Sequence, residues 1–102
     1  MKRTPLKRVS SKRSKELKEY AKLRKAYLEA HPYCEVYMAE YGLEYKGGPV
    51  DAPKATDIHH RRGRWGSRLN DTRYWLAVCR AMHEDIHNDP KWAYEQGYLL
   101  PR

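Results

Sequence analysis

Four of the five histidines in this chain fall in two tight pairs, His59-His60 and His83-x-x-x-His87. Imidazole both binds divalent metals and exchanges protons near neutral pH, so the spacing of these residues matters. Residues four apart on a helix share one face, and His83 and His87 can therefore hold one metal ion together. Neighbours on an extended segment point to opposite sides. One of His59 and His60 can thus join that ion while the other stays free as a base. Three imidazoles leave coordination positions open for a phosphate oxygen and water. Either pair alone is a weak signal, since histidines four apart are common on surfaces and in cores. Their combination, beside a run of arginines, is far stronger. His31, just before Pro32, reads as a helix-end residue with no chemical role.

The charge points the same way. The chain of 102 residues carries 21 Lys+Arg against 13 Asp+Glu, a net charge of +8. Residues 1–25 hold 11 basic and 2 acidic residues, whereas residues 26–102 hold 10 basic and 11 acidic ones. A near-neutral body therefore carries a basic N-terminal arm. Within the body, Arg61, Arg62, Arg64, Arg68, Arg73 and Arg80 face only Asp71 between residues 61 and 80. Two separate basic stretches imply a polyanionic partner, with DNA, double-stranded by expectation, the best fit. Arg62 or Arg64 is placed to clamp one phosphate by two parallel hydrogen bonds. Arg61, Arg68 and Arg73 are expected to grip flanking phosphates. Lys7, Arg8, Lys12 and Arg13 in the arm would add salt-sensitive, sequence-independent affinity.

These groups need elements to position them, and the length allows one domain. Residues 1–14 (MKRTPLKRVSSKRS) show no apolar period and read as a basic arm, disordered in isolation; residues 15–102 read as the single domain. Ser14 can cap an amphipathic helix whose stripe of Leu17, Tyr20, Ala21, Leu23, Tyr27 and Leu28 is expected to pack in the core. Pro32 ends it near Ala30. Tyr33, Val36 and Met38 fit a short strand or turn, and Ala39 to Tyr45 a short helix ending near Gly42. Gly47-Gly48-Pro49 and Pro53 mark a loop. Strand character starts in Ala55 to Arg62, followed by a loop over Gly63 to Asp71 and a buried strand over Tyr74 to Cys79. Arg80 to His87 suits a helix. Asp89-Pro90 caps and opens a further short helix that Gly97 closes. No apolar run approaches the ~20 residues of a membrane helix, and Met1-Lys2-Arg3 is not followed by an apolar stretch of the Sec type. The expectation is a protein of the cytoplasm, with no membrane partner.

Asp57-Ile58-His59-His60, a Gly/Arg/Asn loop, a strand ending at Cys79 and His83-Glu84-Asp85-Ile86-His87 together resemble the ββα-metal (His-Me finger) motif of HNH endonucleases. They are similar both to small phage-encoded HNH proteins and to the nuclease domains of DNase colicins. The likeness covers roughly residues 33–100, and its specific part is 57–87. It implies an α+β fold with a ββα-metal core at about 55–88, an N-terminal amphipathic helix and a short C-terminal helix. It further implies a metal-dependent endonuclease that hydrolyses DNA phosphodiester bonds to 5′-phosphate and 3′-hydroxyl ends. Under that resemblance His60 is the general base, and His59, His83 and His87 are ligands of one divalent ion (Mg, Mn, Ni or Zn). Asp57 is available to orient an imidazole.

Two departures from the family pattern stand out. The middle Asn of the motif, which braces the loop carrying the base, is replaced by Tyr74. Asn70, four residues upstream, is a candidate substitute, and turn chemistry explains it as well. The two C-x-x-C pairs of many phage-type members are reduced to Cys34-Glu35-Val36-Tyr37 and Cys79-Arg80-Ala81-Met82. Two thiolates cannot complete a tetrahedral zinc site, so no structural zinc is expected, and Cys34, Tyr37, Cys79 and Met82 should pack where it would sit. Apolar contacts from Trp75, Trp92 and the tyrosines would then replace its stabilisation. A Cys34–Cys79 disulfide is conceivable but ill-suited to a reducing compartment. Two rival readings remain. One is a DNA-binding module of the same fold with impaired catalysis, motivated by Tyr74. The other is a zinc-finger-like regulator closing Cys79, His83, His87 and His59 around a structural ion.

Overall fold

A computed structural model of the protein describes residues 11–101. The chain forms α1 (Ser11–Ala30), α2 (Glu35–Tyr41), β1 (Asp57–His60), β2 (Trp75–Val78), α3 (Arg80–Asn88) and α4 (Pro90–Gln96), an α+β arrangement of four helices and one two-stranded antiparallel sheet among the described residues. No helix among them is long and apolar enough to cross a membrane.

The sheet is the centre of the site, and its register divides the chemistry. Asp57 pairs with Val78, Ile58 with Ala77, His59 with Leu76 and His60 with Trp75. Alternation then puts Ile58, His60, Trp75 and Ala77 on one face and Asp57, His59, Leu76 and Val78 on the other. Two strands alone are marginal in water, so both faces need cover. α3 packs against β1 and α2 against β2. On the second face Val78, Ile86, Val36, Cys34, Ala93 and Tyr98 form the buried core. On the first face α1 lays Tyr20 and Tyr27 edge-on against Trp75, with ring centroids 5.6 and 5.5 Å away. The single Tyr27 hydroxyl proton is shared between the Trp75 carbonyl at 3.0 Å and Glu35 Oε2 at 3.1 Å. The free edge of β2 is closed by Glu35, whose Oε2 accepts from the Ala77 amide at 2.7 Å.

The short helices follow local chemistry closely. Asp89 caps α4 by accepting from the Trp92 amide at 3.2 Å, Pro90 supplies the first turn, and Gly97 stops it at φ 81°, a conformation that excludes most side chains. The helix over Arg80–Asn88 and the strands match the sequence reading to within one or two residues at most ends.

Elsewhere the expectation needs correction. Val36 and Met38 are helical, not extended: α2 spans Glu35–Tyr41, because Cys34 Sγ accepts from the Tyr37 amide at 3.4 Å and acts as the N-cap. Its end at Gly42 (φ 66°) is where the sequence placed it, but it starts four residues before Ala39. α1 takes in Ser11 to Ser14, so Lys12 and Arg13 sit on a helix and Ser14 is inside its first turn rather than capping it. Lys7 and Arg8 lie outside the described residues. No residue of α1 is buried and Leu17 is 38% exposed, so the stripe only half-packs; it touches the sheet chiefly through two tyrosines. The loop between the strands is not featureless either, and holds two short 3-10 turns, Gly66–Arg68 and Thr72–Tyr74.

Candidate metal centre

The two histidine pairs converge. His59, at the middle of the sheet and 2% exposed, meets His83 and His87 from α3, with ring centroids 5.3 and 5.6 Å away. His83 and His87 lie 4.9 Å apart, as their four-residue spacing on one helix requires. One ring nitrogen from each of the three lies within 4.8 Å of the others, and His59, His83 and His87 could together hold a metal ion.

Hydrogen bonds fix which nitrogen His59 and His83 offer. A carbonyl oxygen can only accept, so His59 Nε2–H donates to the Tyr98 carbonyl at 2.7 Å and Nδ1 keeps the lone pair. His83 Nδ1–H donates to Asp57 Oδ2 at 3.1 Å, which leaves Nε2 as its donor. A carbonyl and a carboxylate behind ligating imidazoles are the partners that a metal site needs to hold its rings in place. Asp57 therefore orients an imidazole as expected, and Arg80 Nε joins it at 3.1 Å. Partial burial disfavours the Asp57 carboxylate, but the bonds from His83 and Thr56 and the charge of Arg80 outweigh it and hold its pKa below the usual value.

Burial favours the neutral form of His59 and His87, the form that ligates. Burial, reinforced by the neighbouring His83 and His87, pushes the pKa of His59 from 6.5 down to about 4, against the pull of the Tyr98 carbonyl. Burial also lowers the pKa of His87, with His83 adding to the effect. The donor set is all nitrogen, which suits Zn, Ni or Co and accommodates Mn. Cys79 does not take part. It packs with Cys34, Tyr37 and Met82 in the apolar core, and both cysteines are free thiols. The closed four-ligand finger site therefore lacks its thiolate.

His60 ends β1 on the opposite face yet opens onto the same cleft, of about 540 Å³, that His59, His83 and His87 line. It is 8% exposed. Its ring sits against Trp75 and Tyr20 at 5.3 and 5.7 Å, and Nε2–H donates to the Leu69 carbonyl at 3.0 Å. Nδ1 is then the acceptor nitrogen. Burial lowers the pKa of His60, helped by the charges of Arg64 and His83 and partly offset by the Leu69 and Ile58 backbones, so the neutral ring is favoured.

The Leu69 carbonyl that aims His60 is itself held. Trp75 Nε1–H donates to it at 3.1 Å. The adjacent Asn70 anchors the loop to α1, its Nδ2 donating to the Glu16 carbonyl at 3.1 Å. Asn70 thus braces the loop, but against α1 rather than across the strands. Tyr74 has another use: Arg62 and Arg73 lie over its ring at 4.9 and 5.4 Å.

That stacking sorts the arginines. Arg61 and Arg64 line the histidine cleft, whereas Arg62 is turned to Tyr74 and does not. Arg73, expected on a flanking phosphate, is held by Asp71 at 2.7 Å. Arg68 reaches back to the Arg62 carbonyl at 3.4 Å. Arg61 Nη2 donates to the Arg73 carbonyl at 2.9 Å, and its Nε is buried without a hydrogen-bond partner.

Sequence reasoning missed Tyr98, Leu69 and Tyr20. The first two act through backbone carbonyls, which every residue possesses, and no pattern could mark them. Tyr20 was visible as an apolar position, but not as the cover over His60. Comparison of the chain with protein-family models, with curated proteins and with solved structures finds no match to any of them.

Proposed function

We propose that this chain is a divalent-metal-dependent endonuclease of the HNH type, cleaving DNA phosphodiester bonds to leave 5′-phosphate and 3′-hydroxyl ends. The observation that carries the reading is the division of labour among four imidazoles. Three bring a ring nitrogen each within 4.8 Å of the others, and the fourth is fixed in one tautomer beside them in an arginine-lined cleft. The strand–strand–helix order that brings them together is the one a ββα-metal core would use.

His60 Nδ1 accepts the proton of a water aimed at phosphorus, its neutral state favoured by burial and by Arg64. The Leu69 carbonyl and the Trp75 ring keep it from rotating away. A divalent ion on His59, His83 and His87 would stabilise the charge that develops on the phosphate and on the leaving 3′ oxygen. Arg64 and Arg61 hold the scissile phosphate in the cleft by charge-assisted hydrogen bonds. Free Cys34 and Cys79 suit the reducing cytoplasm as its setting.

The test is plasmid nicking by the wild type and His60→Ala in Mg, Mn, Ni and Zn. Loss of one such group costs on the order of 10²–10³ in rate. Cleavage by His60→Ala at the wild-type rate removes His60 as the base. One observation favours a second reading, a DNA-binding module of this fold without cleavage. Tyr74 offers no amide to brace the loop and draws Arg62 away from the cleft. Purified wild type that binds DNA but cuts neither plasmid nor single-stranded DNA with any of these metals selects that reading.

A further inference from the structure

Trp65 is out of keeping with the other two tryptophans. Trp75 is buried at 2% and Trp92 packs against the core, whereas Trp65 is 75% exposed, the most exposed large apolar side chain among the described residues. It is surrounded by charge rather than by apolar surface. A second cavity of about 430 Å³ lies between α1 and the interstrand loop, lined by Lys12, Arg13, Glu16, Arg64, Trp65 and Gly66. Arg13 and Glu16 form a pair at 3.4 Å, so Lys12 and Arg64 carry the cavity's net positive charge. Gly66, in a left-handed turn at φ 52°, has no neighbouring atom within 4 Å of where a side chain would stand, so this side of the loop is open.

Arg64 lines both this cavity and the histidine cleft. A strand running from the histidine cleft to the Trp65 ring would pass Arg64, which faces both. An indole face flanked by cations matches a nucleobase flanked by phosphates, because every base has a π-face and every linkage a negative charge. Bases inside a duplex have both faces occupied by their neighbours and cannot stack on a side chain without being unstacked. A single tryptophan among charged residues is also too little apolar surface for a membrane anchor.

We propose that Trp65 is a stacking platform for an unpaired base, so that the site takes single-stranded DNA in preference to duplex. The inference rests on the reading of the cleft as a DNA site and names its substrate form.

The test measures binding of a fluorescein-labelled mixed-sequence oligonucleotide and of its blunt duplex by anisotropy, in EDTA so that no metal-dependent cleavage occurs. Wild type, Trp65→Ala and Trp65→Phe are compared, and intrinsic tryptophan fluorescence is read in parallel. Trp65→Ala should lose about tenfold in single-strand affinity and less than about twofold for duplex, while Trp65→Phe stays within about threefold of wild type. Wild-type tryptophan emission should be quenched by the single strand and that quenching lost in Trp65→Ala. Equal single-strand binding by Trp65→Ala and wild type overturns the proposal, as does an equal loss for both DNA forms. Quenching by phosphatidylserine vesicles but not by the oligonucleotide overturns it too. Because the assay involves no cleavage, it separates the two claims. Binding through Trp65 by a protein that fails to cut DNA in Mg, Mn, Ni or Zn sustains the platform and removes the nuclease. Cleavage by a protein indifferent to Trp65→Ala does the reverse.

Discussion

His59 makes the metal-free fold acid-sensitive in a defined window. Buried at 2% exposure, it has a pKa pushed from 6.5 to about 4 in the folded chain, whereas in the unfolded chain it titrates near 6.5. Above about pH 6.5 both states leave it neutral, and it contributes no pH dependence. As pH falls below that point the unfolded chain takes up a proton that the folded chain refuses, so unfolding gains free energy. The slope is at most about 1.4 kcal/mol per pH unit, and the loss totals about 3 kcal/mol once pH reaches about 4. That is a large share of the roughly 5–15 kcal/mol that holds a small domain together. Burial lowers His60 and His87 as well, so they steepen the same limb. Asp57, with its pKa held below the usual carboxylate value, gives up its contribution only at lower pH, and the two effects separate. The assay is urea unfolding followed by far-UV circular dichroism between about pH 8 and pH 4.5, in EDTA, for wild type and His59→Gln. Wild type should hold steady down to about pH 6.5 and then lose stability, and His59→Gln should show a shallower limb by up to about 1.4 kcal/mol per unit. A flat wild-type curve across this range, or an unchanged slope in His59→Gln, would falsify the account of His59 as a buried neutral imidazole.

The remaining predictions concern the partners behind the imidazoles. Asp57→Asn removes the carboxylate from His83 Nδ1 and should weaken Zn or Ni binding by roughly 10–100-fold in calorimetry; unchanged affinity would mean that His83 needs no orientation. Adding the ion at about 100 times its dissociation constant should stabilise wild type by about 2.7 kcal/mol in urea unfolding, a gain that His83→Ala should largely abolish; a gain undiminished in that variant would place the ion elsewhere. Trp75→Phe keeps an aromatic ring under Tyr20 and Tyr27 but deletes the bond to the Leu69 carbonyl. It should cost about 1–2 kcal/mol, and a neutral result would show that His60 and Asn70 hold the loop unaided.

The sequence by itself determined the features that depend on spacing along one segment. The four-residue step of His83 and His87 on a helix, the opposite faces of His59 and His60 on a strand, and the Asp89-Pro90 start and Gly97 stop of α4 are all local rules of backbone geometry, and each holds. Where two local rules competed, the sequence was ambiguous. Tyr33, Val36 and Met38 read as a short strand or turn, and the structure made Val36 and Met38 helical through a cysteine acting as an N-cap and packing against β2. Tertiary structure alone decided which imidazoles meet, because that depends on the register of β1 on β2 and on the seat of α3. It decided the tautomers, since the Tyr98 and Leu69 carbonyls come from 39 and 9 residues away and carry no side-chain signature. It also sorted a run of arginines that looks uniform in the sequence, drawing Arg62 onto Tyr74 and Arg73 onto Asp71 while Arg61 and Arg64 line the cleft. Charge is a property of composition, but the direction in which a guanidinium points is set by whichever ring or carboxylate the fold brings within reach.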